Sequence, residues 1–352
     1  MSGGVDSSLA AALLKKEGCE VIGMTFRMWP KEECGSSADR ACCSLEAVTR
    51  ARAVAGDLGI PYYVMDFSED FKREVIDYFC AEYLKGSTPN PCVVCNEKIK
   101  FGKLLVKAKE LGASYIATGH YAKTGFDKAS GRFLLREGRD KSKDQSYFLF
   151  NLSQQQLKEA MFPLGDLTKE RTRSLAKKLK IKTHNTASSQ DICFIQDLDY
   201  AEYIRKKTGV EIKKGDITDR DGNIIGRHNG IPFYTIGQRR GLGIAYKEPL
   251  YVTAIDIGKN RIIAGTKKDV MKKSLIADRV NWIAVRGIEK PLRIMARIRY
   301  NHKKAAAIVT RIDENAIRVD FDEPQAAPTP GQAVVFYNKD IVVGGGWIRE
   351  GI

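Results

Sequence analysis

The sequence predicts an α/β domain built on a parallel sheet, followed by a mainly β central segment and a small C-terminal β-barrel. Up to about residue 195, short apolar runs alternate with longer amphipathic helical runs, which is the spacing of βαβ units. Beyond that point, Gly and Pro separate short alternating runs, which suits antiparallel sheets or a small barrel. The 352 residues allow two or three domains, and we place them at 1–198, 199–270 and 271–352.

Hydrophobic periodicity distinguishes the helices of the first part from its strands. The predicted helices are 5–16, 45–58, 71–84, 98–111, 154–161 and 169–180. The predicted strands of this part are 20–26, 61–65 and 114–118. In the second part, the predicted strands are 224–225, 251–257, 261–264, 292–299, 306–311, 317–321, 332–337 and 341–348. The change in character places one domain boundary near 195–205 and another near 270.

The charge balance favours a polyanionic partner. Lys and Arg total 58 against 43 Asp and Glu, a net charge of +15, which suits nucleic acid. The apolar fraction of 43% and the charged fraction of 29% are ordinary for a folded protein. No run approaches the roughly 18 apolar residues of a membrane helix, and no export leader opens the chain. We therefore expect a cytoplasmic protein with no membrane partner and with its eight cysteines reduced.

A glycine-rich loop stands directly before the first helix. Residues 2–8 read S-G-G-V-D-S-S, and the two glycines allow a tight turn that brings backbone N–H groups close to an anion. The helix N-terminus and the serine hydroxyls add donors for a phosphate. The alternative is an ordinary N-cap, because Asp and Ser cap helices anyway. The absence of G-x-x-x-x-G-K-[ST] and of G-x-G-x-x-G disfavours a Walker-type kinase and a dinucleotide dehydrogenase.

A C-x-x-C pattern precedes the fourth predicted helix. Segment 88–96 reads T-P-N-P-C-V-V-C-N, and we expect the helix to begin near Cys95 or Asn96. A thiol at a helix N-terminus, with Lys98 and Lys100 nearby, should have a pKa below the usual value of about 8.5. Cys95 is therefore a candidate thiolate, with half of a zinc site or a redox pair as alternatives.

The other cysteines give weaker signals. A zinc site needs four ligands, and Cys34, Cys42 and Cys43 match no zinc spacing, so we predict no metal site. Cys193 lies in segment 190–195, Q-D-I-C-F-I, where a lone cysteine between apolar neighbours is more often a buried small hydrophobe than a nucleophile. The cysteines interpreted as structural are Cys19, Cys34, Cys42, Cys43 and Cys80.

Several strings together resemble one enzyme family. The loop at residues 2–8 is similar to the pyrophosphate loop (PP-loop) of the N-type ATP pyrophosphatases. The whole chain resembles the bacterial tRNA-specific 2-thiouridylases, whose motifs it keeps in order from residue 2 to 337. The matching segments are S-G-G-V-D-S-S (2–8), T-P-N-P-C-x-x-C-N-x-x-I-K-F (88–101), Y-I-A-T-G-H-Y (115–121), K-D-Q-S-Y-F-L (143–149), Q-D-I-C-F-I (190–195), T-I-G-Q-R-R-G-L-G (235–243) and T-P-G-Q-A-V-V-F-Y (329–337).

The resemblance implies a reaction. Members of this family have a HUP-type PP-loop domain and replace the C2 oxygen of the wobble uridine in certain tRNAs with sulfur. ATP adenylates that oxygen with release of pyrophosphate, and a cysteine persulfide then attacks C2, releasing AMP. By motif position, Cys193 is expected to carry the persulfide. Cys95 is expected to be the nucleophile that closes a Cys95–Cys193 disulfide, which an outside thiol reduces. The resemblance therefore favours a reactive Cys193 over the interpretation of Cys193 as a buried small hydrophobe.

The resemblance also implies binding residues. Mg²⁺ is expected between the ATP phosphates and Asp6. The expected ATP contacts are Met1, Ser2, Gly3, Gly4, Val5, Asp6, Ser7, Phe26 and Gly119. C2 of the uridine is unreachable in a stacked anticodon, so the base must be flipped into a pocket. The residues expected to line that pocket are Asn90, Pro91 and Cys92. The other expected tRNA contacts are His120, Lys143, Asp144, Gln145, Arg299, Tyr300 and Gln332. By itself, His120 would be interpreted as a strand-end histidine bonded to the backbone.

Expected partners are tRNAs that accept glutamate, glutamine or lysine, and a sulfur donor that is a cysteine desulfurase or a persulfide relay protein. One alternative uses Cys92, Cys95 and Cys193 to hold an iron–sulfur cluster. Another is an ATP-dependent synthetase or amidotransferase for a small molecule. A third is a tRNA-binding protein with impaired catalysis: pyrophosphatases have a buried strand before the loop, whereas this sequence begins at Met1 with the loop. Either the start is truncated or another segment fills that edge.

Overall fold

Two compact units make up the chain in the computed structural model, which describes residues 1–28, 45–183, 192–195 and 200–352. The first unit comprises Met1–Val75, Cys92–Asp197 and Asp340–Val342. The second comprises Ile76–Pro91, Leu198–Lys339 and Val343–Ile352. Five residues named in the sequence analysis lie outside the described ranges: Cys34, Cys42, Cys43, Gln190 and Asp191.

The helices lie mainly in the first unit. The α-helices are α1 (Val5–Lys16), α2 (Leu45–Leu58), α3 (Ser68–Phe71), α4 (Asp77–Leu84), α5 (Pro91–Val94), α6 (Leu104–Glu110), α7 (Gln154–Lys158), α8 (Lys169–Lys178) and α9 (Tyr200–Thr208). Two π-helices are π1 (Lys72–Ile76) and π2 (Cys95–Lys103). Short 3₁₀ turns occupy Ser146–Leu149 and Ile231–Phe233. None of the helices in the described ranges is long and apolar enough to cross a membrane.

Parallel strand pairs confirm the α/β class of the first unit. The strands of this part are β1 (Gly23–Arg27), β2 (Tyr62–Asp66), β3 (Ile116–Ala117), β4 (Ala122–Asp127), β5 (Arg132–Glu137) and β6 (Ala160–Met161). β1 pairs in parallel with β2, and β3 with β6. β4 and β5 form an antiparallel hairpin that the sequence analysis did not predict. α1 packs against α2 and α8 around a core that includes Leu9, Val54 and Ala176.

The second unit is mainly β, as predicted. Its strands are β7 (Gly215–Thr218), β8 (Ile224–His228), β9 (Tyr251–Asp256), β10 (Arg261–Gly265), β11 (Met271–Trp282), β12 (Leu292–Arg297), β13 (Ala305–Arg311), β14 (Ala316–Ala326), β15 (Ala333–Asn338) and β16 (Ile341–Gly351). The first four form a sheet of order β8-β7-β10-β9. The last six run in order β11-β14-β13-β12-β15-β16, and β16 pairs back onto β11 to close a barrel. Alternating apolar residues such as Val309, Val319 and Phe336 fill this barrel.

Several predicted bounds are wrong for tertiary reasons. The helix predicted at 154–161 ends at Lys158, because Ala160 and Met161 pair with β3. The helix predicted at 98–111 is part of a longer helical stretch that begins at Pro91. α9, β7 and β11 were not predicted, since their apolar positions are few or irregular along the sequence.

Candidate active site

The glycine loop leads into the N-terminus of α1. Gly3 has a φ of +68°, and a Cβ there would overlap the carbonyl oxygen of Ala47 in α2. Gly4 is the N-cap, and no side chain in the described ranges caps the helix there. Ser7 Oγ accepts from the N–H of Ser2 at 3.1 Å and donates to Gly4 O at 3.3 Å, which closes the loop on itself. The first N–H groups of α1 therefore remain as donors for an anion, so the loop fits a phosphate group.

Two side chains from distant segments hold Asp6, the acidic residue of the loop. Lys169 Nζ, at the start of α8, lies 2.7 and 2.6 Å from the two carboxylate oxygens of Asp6. The Tyr121 hydroxyl donates to Asp6 Oδ1 at 2.9 Å, and burial raises the pKa of Tyr121, so this hydroxyl stays protonated. The side chain of Lys169 is only 14% exposed, which makes the pair less screened than a surface salt bridge. A carboxylate and an ammonium group thus lie together beside the phosphate-binding donors.

This pair suits Mg·ATP, because the carboxylate is a ligand that Mg²⁺ accepts and the ammonium is a partner for phosphate oxygens. Replacing Lys169 with methionine is expected to weaken ATP binding about tenfold, or ~1.4 kcal/mol. The reason is that the negative charge of Asp6 would face the phosphates without the Lys169 ammonium group that offsets it. Titration calorimetry with Mg·ATP and with adenosine measures the effect, and adenosine binding should not change. Lys182→Met, which removes an exposed pair with Asp57, is the control. Equal losses in both variants would contradict this role of Lys169.

Gly119 lies against the first turn of α1. A Cβ at this position would come within 2.8 Å of Asp6 and 2.9 Å of Ser7 N. The chain after β3 can approach the loop this closely only because it has no side chain there. Gly119, expected from the sequence as an ATP contact, is thus placed beside the loop, while its contact with ATP stays a prediction.

Two other expected ATP contacts lie on or beside β1. Phe26 is half-buried and is paired in register with Met65 of β2. Met1 donates from its terminal ammonium to Met24 O and accepts at its carbonyl from the Thr25 hydroxyl. The backbone of Met1 is thus engaged with β1, and direct contact of Met1 or Phe26 with ATP stays a prediction.

His120 follows Gly119 and lies among aromatic rings. Its Nδ1 is 2.8 Å from the Thr118 hydroxyl, a side-chain partner rather than the backbone partner that the sequence alone suggested. Its ring centroid lies 6.2 Å from that of Phe101 and 6.1 Å from that of Phe162. Burial, with the charge of Lys100 adding to it, lowers the pKa of His120 well below its usual value. The imidazole is therefore neutral near pH 7, and its contact with tRNA stays a prediction.

The helix that carries the C-x-x-C pattern begins earlier than predicted. α5 starts at Pro91, so Cys92 lies in the first turn and Cys95 in the second, not at the N-terminus. Proline suits the first helical position because its missing N–H has no partner to lose there. Lys98 Nζ lies 2.7 Å from Glu97 Oε1, and the hydrogen bond between them raises the pKa of Lys98. Cys95 therefore does not lie at the helix N-terminus, and Lys98, one of the two lysines expected to act on it, is paired with Glu97. The lowered pKa of the Cys95 thiol stays a prediction.

Cys193 and Cys95 lie on segments that meet through α3. Phe194 is 3% exposed and packs edge-to-face on Phe71, with ring centroids 5.9 Å apart. Phe71 ends α3, and α3 contacts π2, the helix that begins at Cys95. Cys95 is buried and Cys193 is half-buried, and both are thiols in this structure. The Cys95–Cys193 disulfide stays a prediction.

The described residues give no support to the iron–sulfur alternative. Within those ranges, no three or more His, Cys, Asp or Glu side chains are grouped so that they could hold a metal ion. Cys92, Cys95 and Cys193 all lie within them and so do not form a three-ligand site.

In the second unit, Gln332 holds the segment that leads to Asn90. Its Nε2 donates to Thr88 O at 2.9 Å and to Pro89 O at 3.2 Å. The N–H of Thr88 donates to Pro330 O at 2.8 Å, so backbone and side chain fix the same segment. Asn90 is buried at its end. Gln332, expected as a tRNA contact, is therefore placed against the segment that leads to Asn90, and its contact with tRNA stays a prediction.

Three expected tRNA contacts, Lys143, Asp144 and Gln145, lie in the loop after β5, and Lys143 is the exposed cation among them. Asp144 is 2% exposed and accepts from the N–H of Gly138 at 3.0 Å, and burial raises its pKa. Gln145 accepts at Oε1 from the N–H of Tyr121 at 3.0 Å, next to His120. Lys143 is exposed. Asp144 and Gln145 therefore shape the loop, and all three stay predictions as tRNA contacts.

Arg299 and Tyr300 follow β12. Arg299 Nη2 donates to Ala327 O at 2.6 Å and also to the Thr329 hydroxyl. The guanidinium of Arg297 lies over the ring of Tyr300, 5.3 Å from its centroid. Arg299 thus joins two segments of the second unit, and the contacts of Arg299 and Tyr300 with tRNA stay predictions.

Comparison with known proteins decides the family. Three family models match: the tRNA methyl transferase HUP domain at residues 1–197, the tRNA methyl transferase PRC-barrel domain at 201–266, and the aminomethyltransferase beta-barrel domain at 272–348. The chain is 49% identical to the tRNA-specific 2-thiouridylase MnmA of Clostridioides difficile over 352 residues, all of this chain and 97% of that protein. It is 51% identical to the protein of the same name from Moorella thermoacetica over 350 residues, 99% of this chain and 98% of that protein. The chain belongs to the tRNA-specific 2-thiouridylase family.

Sequence reasoning missed two residues that hold parts of the candidate site of this thiouridylase family member. Lys169 donates to Asp6, which lies 163 residues earlier in the chain. Gln156 donates to the carbonyl of Glu97, which lies 59 residues earlier. The sequence carries one signal for Lys169: a lysine at the first position of a predicted helix opposes the helix dipole, so another interaction must favour it. Gln156 has an ordinary capping position at the start of α7 and gave no signal.

Proposed function

We propose that this chain is an ATP-dependent tRNA-uridine 2-sulfurtransferase that replaces the C2 oxygen of the wobble uridine with sulfur. The observation that carries the proposal is the full-length similarity, at 49–51% identity, to proteins named tRNA-specific 2-thiouridylase. The first unit supports it by combining an anion-binding loop with two cysteine segments. Family membership supports ATP with Mg²⁺ as the energy source.

The proposed reaction has two stages. The donors at the start of α1, with Asp6 and Lys169, bind the phosphates of ATP and its Mg²⁺. The uridine C2 oxygen attacks the α-phosphate, and pyrophosphate leaves. The terminal sulfur of a persulfide on Cys193 then attacks C2, so that a C–S bond forms and AMP leaves with the former C2 oxygen.

Release of the product uses the second cysteine. After sulfur transfer, C2 of the base is joined to Cys193 through an S–S bond. The Cys95 thiolate attacks the sulfur of Cys193, which frees the thiouridine and closes the Cys95–Cys193 disulfide. An outside thiol then reduces that disulfide. The phenylalanine contact that brings the two segments to one part of the first unit supports this step.

The partners and location belong to the same proposal. The tRNA substrates are those that accept glutamate, glutamine and lysine, and the sulfur donor is a cysteine desulfurase or a persulfide relay protein. The reaction takes place in the cytoplasm, where tRNA and ATP are found together. We propose the domains 1–198, 199–270 and 271–352 as catalytic, central tRNA-interacting and C-terminal barrel domains. With a net charge of +15, tRNA binding should weaken steeply as salt rises.

The test is thiolation of unmodified glutamate- or lysine-accepting tRNA. Protein, Mg·ATP, a persulfide source and tRNA are mixed, and the nucleosides are analysed by mass spectrometry. The proposal predicts 2-thiouridine at the wobble position only when ATP and tRNA are both present. ATP cleavage without thiouridine, and independent of tRNA, would instead favour a synthetase for a small molecule. tRNA binding without ATP binding would favour a tRNA-binding protein that lacks catalysis.

A further inference from the structure

The helix that carries Cys95 contains a turn one residue wider than an α-helical turn. The chain is helical throughout α5, π2 and α6. Its buried positions include Cys95, Ile99, Leu104 and Ala108, at successive separations of four, five and four residues. The five-residue step coincides with the hydrogen bond from the N–H of Leu104 to Ile99 O. This is the pattern of a π-turn, a feature that is frequent at functional sites.

The wide turn decides which side of the helix Cys95 occupies. Counting back from Leu104, an uninterrupted α-helix would continue the buried stripe through Phe101, which is buried here too, and through Lys100 and Glu97, which are half-buried here. That phase would bury these two charged side chains further. One inserted residue turns the preceding part of the helix by about 100° relative to the following part. The rotation places Cys95 and Ile99 on the buried stripe instead, where they are 7% and 0% exposed.

A side chain from outside the helix holds this turn. Gln156 Nε2 donates to Glu97 O and to Phe101 O, each at 2.9 Å. Its Oε1 accepts from the N–H of Ser153 at 2.9 Å, which fixes the orientation of the amide. Insertion of a side chain into the backbone ladder is an established cause of an irregular helix. Gln156 thus supplies donors to two carbonyls where the α-helical pattern is interrupted.

Gly102 leaves the room that the same turn needs. A Cβ there would lie 2.9 Å from Glu97 O, five residues earlier in the chain.

Next to Cys95, Asn96 Nδ2 donates to Phe148 O at 3.1 Å, which ties the first part of π2 to the 3₁₀ turn at Ser146–Leu149. The turn is therefore held from outside the helix at both ends.

We propose that Gln156 is a positioning residue for Cys95: by donating to Glu97 O and Phe101 O, it keeps the π-turn that sets the direction of the Cys95 thiol. The importance of Cys95 for sulfur transfer rests on the proposed function. The position of the thiol does not, and its reactivity can be measured without tRNA or ATP. A failure of the positioning role is therefore distinguishable from a failure of the proposed function.

The first test compares Gln156→Glu with Gln154→Glu. Gln156→Glu keeps the acceptor but places a carboxylate oxygen against two carbonyls. Gln154→Glu makes the same change on the same helix, where the amide bonds the backbone of Phe133. Intact proteins are treated with iodoacetamide, and alkylation rates of Cys95 and Cys80 are followed by peptide mass spectrometry. We expect Cys95 to react at least threefold faster in Gln156→Glu and at the parent rate in Gln154→Glu. Cys80, which is buried in the second unit, should keep its parent rate in both.

Gly102→Ala disturbs the same turn without adding a charge, and it keeps the proposal testable if Gln156→Glu does not fold. Alanine favours helix over glycine, so we expect a Tm no more than about 3 °C below that of the parent and again a threefold or larger rise at Cys95. Gly56→Ala, within α2 and with open space around it, should leave Cys95 unchanged. A smaller rise at Cys95 in these variants, or an equal rise at Cys80, would overturn the proposal.

Discussion

Replacing Cys193 with serine is expected to abolish thiouridine formation, with a loss on the order of a thousandfold or more. A serine oxygen cannot carry a persulfide sulfur, so the proposed attacking atom is missing from this position. Mg·ATP binding should be unchanged, because Cys193 is not part of the loop at α1. Thiouridine is measured by nucleoside mass spectrometry, and ATP binding by calorimetry.

Replacing Cys95 with serine should also stop turnover, but with a different trapped species. Sulfur transfer from the Cys193 persulfide to C2 can still occur. The variant lacks the Cys95 thiolate that would break the S–S bond between Cys193 and the base. A covalent protein–tRNA complex is therefore expected, which dithiothreitol releases as thiolated tRNA. Non-reducing gel electrophoresis with labelled tRNA detects it.

The matched control for both variants is Cys19→Ser, since Cys19 is exposed and lies just after α1. This variant should thiolate at the parent rate. Multiple turnover retained in Cys95→Ser, or thiouridine formed by Cys193→Ser, would contradict the paired-cysteine mechanism.

Replacing Gly3 with alanine is expected to weaken ATP binding at least about a hundredfold, or ~2.7 kcal/mol. The residue has a φ of +68°, which costs an L-residue roughly 1–2 kcal/mol, and its Cβ would overlap the carbonyl oxygen of Ala47. Because that oxygen belongs to the backbone of α2, the loop must move away from it. Movement of the loop misaligns the N–H donors at the start of α1, on which phosphate binding depends.

Gly18→Ala separates the effect of the positive φ from the effect of the overlap with the Ala47 carbonyl oxygen. Gly18 also has a positive φ, +86°, but a Cβ there meets nothing within 4 Å. It lies just beyond the other end of α1 and should lower stability by the backbone strain alone, with ATP binding unchanged. Calorimetric Kd values and Tm are measured for both variants. Equal ATP affinity in Gly3→Ala and the parent would show that the loop does not bind the phosphates.

Local signals predicted the parts of the fold that depend on nearby residues. α1 and α2 begin and end where the periodicity places them, and the buried positions of α2, which are Ala47, Ala51, Val54 and Ala55, recur at helical spacing. The helix of Cys95 begins four or five residues before the start predicted near Cys95 or Asn96. The prediction left Pro91 outside the helix, although proline is common at a first helical position.

The supporting contacts of the site could not be predicted in this way. Lys169 reaches Asp6 across 163 residues, and Gln332 reaches Thr88 across 244. A single sequence carries no record of which distant side chains meet. The π-turn is also hidden, since its five-residue step between Ile99 and Leu104 is visible only once burial is known.

The most direct test of the proposed chemistry follows the oxygen that leaves the uridine. A tRNA carrying ¹⁸O at C2 of the wobble uridine is thiolated with Mg·ATP and a persulfide source, and the AMP, pyrophosphate and water are analysed by mass spectrometry. The mechanism predicts one ¹⁸O in AMP for each thiouridine formed, because the C2 oxygen leaves with the adenylyl group. Thiouridine accompanied by ¹⁸O in water or pyrophosphate, or formed without AMP, would contradict it.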